Sequence, residues 1–180
     1  MIFGDTAIEH HILEKGCVVV DGAIPEGLVN PASLNISLGD TFLKPKSKPV
    51  RLGDKVEYTR WKVKKGKTFM LFPHDFVLAT TKEEIKMPNN VAAFVQGRSS
   101  IGRIGLTVQN AGFVDPSFHG HITLELVNDS NNIIFLPVGY PVAQLVFFQT
   151  TPVAHGYDGK YNGQVEATGS RMYLDKRKGD

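Results

Sequence analysis

The chain has 180 residues, enough for one domain with a sizeable hydrophobic core and no need of disulfides or a structural metal. Its formal charge is only +2 with 21% charged residues, which excludes the global basic field that drives sequence-independent nucleic-acid binding. The single cysteine, Cys17, excludes an internal disulfide and a Cys-x-x-Cys zinc site and favours a reducing, cytoplasmic setting. The sequence starts without the segments of a secretory signal and has no apolar run of 18 residues, so we expect a soluble protein with no membrane partner.

The first predicted element is a short N-terminal helix over residues 5–15. Asp5 is a suitable N-cap, and Gly16 follows the last helical residue, where glycine commonly ends a helix. Between them, apolar residues recur at near-helical spacing: Ala7, Ile8, Ile12 and Leu13. This is the only helix that we predict.

From Cys17 onwards the pattern changes to short β-rich segments separated by Gly, Pro, Asn and Asp. The segments are 17–20, 33–39, 67–73, 76–81, 91–97, 122–128, 132–137 and 141–150. Their spacing predicts a β-sandwich, a jelly roll or a distorted barrel. Alternation with period two places Asn35 and Ser37 on one face of their strand, and Thr123 and Glu125 on one face of theirs.

Two segments have little apolar content. Residues 44–67 are rich in Lys and Pro and predict an exposed hairpin or loop. Because acidic residues interrupt this segment and aromatic residues are sparse, a solvated edge that resists aggregation is favoured over a nucleic-acid surface. The tail from Tyr157 is rich in Gly, Asp and Lys; on its own it should be mobile, but it can become ordered over a ligand.

An Arg-Ser-Ser block follows the apolar segment 91–96, where a strand should end in a turn or a short helix. The backbone amides of such a turn can bind phosphate oxygens together with the side chains of the block: Arg98, Ser99, Ser100 and Arg103. Arginine suits this role because its planar guanidinium makes two parallel hydrogen bonds to one phosphate. The alternative is a capped turn with surface arginines.

Two carboxylates follow the Arg-Ser-Ser block. Asp115 precedes Pro116, which is typical of ordinary turn chemistry. Glu125 stands between Leu124 and Leu126 in a strand, so it lies either on a solvated face or in a pocket. In a pocket, desolvation would raise its pKa and make it a proton shuttle at neutral pH.

A His-x-His pair, His119 and His121, has a spacing that can bind zinc. No suitable third ligand lies close in sequence, so surface histidines are favoured over a metal site. Zinc-dependent nucleobase deaminases carry His-x-Glu and Pro-Cys-x-x-Cys elements, and this sequence has neither. Any deamination by this chain would therefore proceed without a zinc-activated water.

Three separated blocks, residues 29–40, 97–128 and 157–171, together resemble the dCTP deaminases, which belong to the trimeric dUTPase superfamily. The blocks occur in the family's order and span most of the chain. The resemblance implies a mainly β fold, a distorted jelly-roll β-barrel of the dUTPase-like type with one short N-terminal helix, in a single domain over residues 1–180. It also implies a homotrimer with active sites between subunits, and a C-terminal tail (residues 156–180) that closes over the active site.

By position, the resemblance implies a triphosphate site and a proton-transfer residue. The triphosphate would be held by Arg98, Ser99, Ser100 and Arg103. Glu125 would be the catalytic acid/base, which takes a proton from the water that attacks C4 of cytosine and delivers protons to the departing ammonia. Ser99 and Arg103 would orient that water and the base.

The resemblance also implies contacts to the sugar, the base and the phosphates. Asp115 would lie against the deoxyribose, where a ribose 2′-hydroxyl would be excluded. The pyrimidine edge would be read by the backbone near Asn110 and Ala111 and by the strand at Thr123 and Leu124. The tail residues Tyr157, Lys160 and Gln164 would fold over the nucleotide and exclude water. Magnesium would be carried by the substrate phosphates, and zinc would have no part.

The first functional hypothesis is deamination of dCTP to dUTP and ammonia in the supply of dUMP and dTTP, with dTTP as a candidate inhibitor. One segment, the loop between Gly105 and Asp115, favours a related activity: it is one residue shorter than the usual deaminase pattern, and its residues 109–112 read Gln-Asn-Ala-Gly where a His-x-Thr-Ala type is typical. Its Ala-Gly-Phe-Val-Asp ending is more similar to dUTPases and to bifunctional, dUMP-forming deaminases. In the dUTPase hypothesis, Asp115 would help to activate a water that attacks the α-phosphate. A nucleotide-binding protein without catalysis is the third hypothesis.

Overall fold

The computed structural model describes residues 1–19, 26–109, 112–151, 153 and 155–175. The strands are β1 (Val18–Val19), β2 (Val29–Asn30), β3 (Ser33–Pro45), β4 (Tyr58–Lys62), β5 (Thr68–Leu71), β6 (Phe76–Lys86), β7 (Val91–Gly97), β8 (Leu106–Val108), β9 (Phe113–Val114), β10 (His119–Asn128), β11 (Ile134–Pro137) and β12 (Pro141–Gln149). The helical elements are α1 (Asp5–Ile8), a π-helical turn (Glu9–Leu13), the one-turn helix α2 (Ser99–Gly102) and a 3-10 turn (Met172–Leu174).

Ten of the strands within the described residues form one curled sheet. Its order is β8-β10-β6-β3-β12-β7-β9, with β1 added to β6 and with β2 and β4 added to β3, while β5 and β11 form a separate two-stranded ribbon. The curl makes a half-barrel around an apolar core whose largest fully buried side chains include Phe42, Phe147 and Leu126. The prediction of a mainly β, barrel-like fold with a short N-terminal helix is confirmed.

The N-terminal helical segment ends at Leu13, two residues earlier than predicted, and it changes from an α-helix to a π-helical turn at Glu9. Gly4, in an extended conformation, is the N-cap, and its carbonyl accepts the first helical hydrogen bond from the backbone N of Ile8 at 2.9 Å. Asp5 is therefore the first helical residue and not the cap. Gly16 has a φ of +66° and follows the turn that ends the helical segment, as predicted. No helix within the described residues is long and apolar enough to cross a bilayer.

The predicted alternation is correct for β10 and wrong for β3. In β10, Leu124 and Leu126 are buried, whereas Thr123 and Glu125 are half-buried on the opposite face. In β3, every residue from Ser33 to Gly39 is buried. This strand lies in the middle of the curled sheet and pairs with β2, β4, β6 and β12, and residues on both of its faces are buried.

The Lys-rich segment forms the exposed hairpin that its composition predicts. β3 continues as far as Pro45, and β4 returns antiparallel so that Pro45 lies opposite Tyr58. Tail residues 157–175 lie against this hairpin and against β10, although their composition alone predicts no packing. The hairpin and the tail thereby border the same end of the half-barrel.

Candidate active site

A cavity of about 450 Å³ opens where β6, β10 and the tail meet. Its wall comes from six parts of the chain: the hairpin, β6, β7, the segment around β9, β10 and the tail. The lining residues are Tyr58, Phe76, Leu78, Val95, Gly112, Phe113, Val114, Asp115, Phe118, Ile122, Thr123, Glu125, Tyr157, Tyr161, Gln164, Thr168, Gly169 and Ser170. Aromatic and aliphatic walls with a few polar groups are typical of a small-molecule site.

Glu125 faces this cavity from the middle of β10. Burial raises the pKa of its carboxyl above the ordinary value, because the charged form loses hydration without gaining a compensating partner. Within the described part of the chain, its carboxylate has no hydrogen bond or ion pair, while its backbone carbonyl accepts a hydrogen bond from Gln109 N at 2.8 Å. The sequence left open whether Glu125 lies on a solvated face or in a pocket, and the structure places it in a pocket.

Asp115 also lines the cavity, in the turn that follows β9, and β9 is paired with β7. Its carbonyl accepts a hydrogen bond from Phe118 N at 3.2 Å, so the residue also has the turn role predicted from Pro116. Just before β9, the chain approaches β7 closely at Gly112, where a Cβ would lie 2.6 Å from the Cβ of Val95. Glycine is needed there because any side chain would push this wall away from β7.

The tail is hydrogen-bonded to the first half of β10. The Thr123 hydroxyl donates to Gln164 Oε1 at 3.1 Å and accepts from Thr168 N at 3.0 Å. His121 N donates to Gln164 O at 2.8 Å, and Gly163 N donates to the carbonyl of His119 at 2.7 Å. Thr123 therefore aligns the tail two residues away from Glu125, on the same face of the strand.

Tyr157 and Lys160 have different positions in the tail. Tyr157 lines the cavity, donates its backbone N–H to Pro116 O at 2.9 Å and packs against Phe118 with ring centroids 5.9 Å apart. Lys160 points away and pairs with Asp175, whose hydrogen bond raises the pKa of the ammonium group. Of the three predicted tail residues, Tyr157 and Gln164 are at the cavity and Lys160 is not.

The Arg-Ser-Ser block does not line the cavity. It forms α2 at the end of β7, where half-buried Arg98 donates from Nη1 to Pro141 O at 3.0 Å. Ser99, Ser100 and Arg103 are exposed, and Arg103 Nε donates to Ser99 Oγ at 3.3 Å. A single chain therefore does not bring these residues to Glu125.

Of the base-reading positions predicted from the resemblance, the structure describes Thr123 and Leu124. Leu124 is only 2% exposed and packs in the core, so its side chain cannot contact a ligand. Asn110 and Ala111 lie outside the described residues. Thr123 is the predicted base-reading residue that does line the cavity.

Several cavity residues were missed by the sequence reasoning, chiefly Tyr58, Phe118 and Thr168. Tyr58 belongs to the hairpin, which its composition marks only as a solvated edge, so no local pattern indicates a site. Phe118 follows the Asp-Pro turn, whose sequence already predicts that it lies near Asp115. Thr168 lies in a tail without periodicity.

The residues that the structure describes contain no group of three or more His, Cys, Asp or Glu side chains that could hold a metal ion. His119 pairs with Glu84 at 2.7 Å, and His121 Nδ1 lies 3.1 Å from Thr81 O. Both histidines of the His-x-His pair thus have partners within the protein. The carboxylates of the described cavity wall are Asp115 and Glu125, and this wall contains no Lys, Arg or His.

The curled half-barrel, with its cavity between β10 and the tail, defines the class of fold. It matches the crystal structure of a 2′-deoxycytidine 5′-triphosphate deaminase from Agrobacterium tumefaciens with a TM-score of 0.67 at 17% identity, over 83% of this chain and 48% of that chain. At this identity the match shows the fold, and it confirms the predicted dUTPase-like type of barrel.

Sequence comparison gives the family. The family described as dCTP deaminase-like matches residues 2–150. A protein named "dCTP deaminase, dUMP-forming" from Persephonella marina is 38% identical over 98% of this chain and 99% of its own length. One of the same name from Methanobrevibacter smithii is 39% identical over 97% of this chain and 96% of its own length. The chain belongs to the dCTP deaminase-like family.

Proposed function

We propose that this protein is a bifunctional dCTP deaminase that releases ammonia and pyrophosphate and forms dUMP. The observation that carries the proposal is Glu125, a half-buried carboxyl with a raised pKa that faces a nucleotide-sized cavity without a protein partner. The names of the relatives favour dUMP as product over the dUTP of our first hypothesis. The shortened loop between Gly105 and Asp115 favours the same product.

In the deamination step, Glu125 acts as general base and then as general acid. A carboxyl whose pKa is raised towards neutrality accepts a proton from the attacking water and returns it efficiently to the leaving ammonia. The tetrahedral centre forms at C4 of cytosine, and the products are dUTP and ammonia. Ser99 and Arg103 orient the water and the base, as the family resemblance implies.

In the second step, a water attacks the α-phosphate and pyrophosphate leaves. Asp115 is the second carboxylate of the cavity wall and is suited to activate this water or to contact the deoxyribose. The two carboxylates stand in different local structures: Glu125 lies in the middle of β10, where burial raises its pKa, whereas Asp115 lies in the turn before Pro116. Different surroundings allow one site to hold two acid/base groups with different tasks.

The active unit is a homotrimer in which one subunit supplies the phosphate-binding residues of the next. A triphosphate needs cationic partners, and the described wall of the cavity has none, whereas Arg98 and Arg103 lie elsewhere on the same chain. On β7, β9 and β12, Phe94, Phe113 and Phe148 form an aromatic cluster with ring centroids 5.1–6.0 Å apart. Phe94 and Phe113 are 45% and 50% exposed, and such patches mark protein interfaces.

Magnesium would bind with the nucleotide. The described cavity wall offers two carboxylates, Asp115 and Glu125, and the described residues contain no group of three or more His, Cys, Asp or Glu side chains that could hold the ion by themselves. This donor set fits an ion held mainly through phosphate oxygens, which is common for magnesium in nucleotide enzymes. The ion would offset the triphosphate charge near the two carboxylates.

Product analysis tests the proposal. The protein is incubated with dCTP and, separately, with dUTP in the presence of magnesium, and ammonia, dUTP, dUMP and pyrophosphate are measured. We expect dUMP and pyrophosphate from both substrates and ammonia from dCTP alone. Accumulation of dUTP without pyrophosphate would favour a plain deaminase. Pyrophosphate from dUTP without ammonia from dCTP would favour a dUTPase, and binding without turnover would favour a non-catalytic nucleotide-binding protein.

A further inference from the structure

Tyr58 of β4 contacts both the cavity and the tail. Its ring lines the cavity, and its hydroxyl accepts a hydrogen bond from the backbone N of Ser170 at 2.9 Å. The tail passes so close to this ring that a Cβ at Gly169 would lie 2.3 Å from Cε2 of Tyr58. A shift of the tail by one residue would press a side chain into the ring, so Tyr58 permits one register.

The same face of β4 carries two cations that contact the tail. Tyr58, Arg60 and Lys62 alternate along the strand and therefore point to one side. Glu166 of the tail forms an ion pair with Arg60, and its other oxygen lies 3.5 Å from Lys62 Nζ. These side chains are exposed, so the ion pairs add little stability, but they discriminate between alignments of the tail.

A small apolar contact lies between the ion pairs and the tyrosine. Ala167 is 1% exposed and packs in a cluster with Leu43 and Leu78, against which the ring of Tyr58 also packs. The tail is thus attached to the hairpin at three successive points, namely Glu166, Ala167 and Gly169–Ser170. All three lie just beyond Gln164, the tail residue that is hydrogen-bonded to Thr123.

We propose that Tyr58 is a positioning residue for nucleotide binding, and that the β4 face of Tyr58, Arg60 and Lys62 is the seat on which the tail closes. The kinetic part of this inference rests on the proposed function. Tyr58 sets the register that brings Thr168–Ser170 to the cavity wall, and the cations hold Glu166 beside it. The lysine- and arginine-bearing hairpin thereby has a role in the site beyond that of a solvated edge.

The test compares Tyr58→Phe with the matched control Tyr173→Phe. Tyr58→Phe keeps the ring against Gly169 and removes only the acceptor for Ser170 N. Tyr173 is an exposed tail tyrosine whose ring lies near Lys55 Nζ, a contact that phenylalanine keeps. For Tyr58→Phe we expect faster amide exchange at Ser170 and a KM for the nucleotide that rises about 2- to 10-fold with kcat within twofold, the range for one lost neutral hydrogen bond.

Unchanged exchange at Ser170, or a fall in kcat with unchanged KM, would overturn the inference. Amide exchange reports tail docking whether or not the protein turns over dCTP, so failure of the proposed function is seen separately, as absent product in the unmodified protein. The ionic part is tested with Glu166→Gln, which should speed exchange of the tail at low salt and lose this effect at 1 M salt. Its control is Glu57→Gln, which breaks ion pairs with Lys46 and Lys48 in the same hairpin and should leave the tail unchanged.

Discussion

Substitution of Gly120 tests most directly how the tail is held, because an added Cβ would clash with the tail backbone. Gly120 has a φ of +129°, which favours glycine, and pairs with Gln164 through a parallel bridge. A Cβ at this position would lie 2.6 Å from Gln164 N and 2.7 Å from Gln164 O. Gly120→Ala must therefore move either the tail or β10, and the tail has fewer contacts to lose.

The size of the effect follows from the hydrogen bonds around this point. Moving the tail breaks the bond from His121 N to Gln164 O and the bond from Gly163 N to His119 O. Two such bonds contribute roughly 1–3 kcal/mol. Strain at the positive φ stays in β10 whether or not the tail is docked, so docking of the tail should weaken by about 2 kcal/mol, a factor of about 30.

The assay combines amide exchange of residues 162–170 with the KM for the nucleotide. We expect fast exchange throughout this segment and at least a tenfold rise in KM. The control is Gly139→Ala, which has a similarly positive φ of +85° but no atom within 4 Å of the added Cβ, so it carries strain without a clash. If Gly120→Ala kept the exchange and the KM of the unmodified protein, the tail would not depend on this contact.

Three further predictions follow from the site and the fold. Glu125→Gln should abolish ammonia release and keep nucleotide binding. Because burial raises the pKa of Glu125, its ionisation lowers the stability of the fold as pH rises through that pKa. The melting temperature of the variant at pH 7 should therefore be no lower than that of the unmodified protein. Glu83 is buried and accepts a hydrogen bond from Ser37 N at 2.8 Å. Measured by urea unfolding, the free energy of unfolding should stay nearly unchanged in Glu83→Gln and fall by roughly 1–3 kcal/mol in Glu83→Ala. Phe94→Asp should convert the trimer to folded, inactive monomers in light scattering; an active trimer would contradict the proposed interface.

Most of the fold could be predicted from the sequence because alternation and turn residues report local structure. The segment 91–97 was predicted with the bounds of β7, and the alternation that placed Glu125 opposite Leu124 and Leu126 is present in β10. Period-two patterns show which residues share a face. They do not show how much protein covers that face, which is why Asn35 and Ser37 of β3 proved to be buried.

The sequence by itself determined the type of fold and the carboxylate around which the proposed chemistry is built, since both follow from short-range patterns and from motifs in a fixed order. Only the tertiary structure decided that Glu125 faces a cavity, that Arg98 and Arg103 stand away from it on the same chain, and that Tyr58 meets Ser170 across 112 positions. Such contacts depend on how the sheet curls and how the tail returns over it. No local pattern encodes them, because burial and hydrogen bonding at these residues arise from segments far apart in the chain.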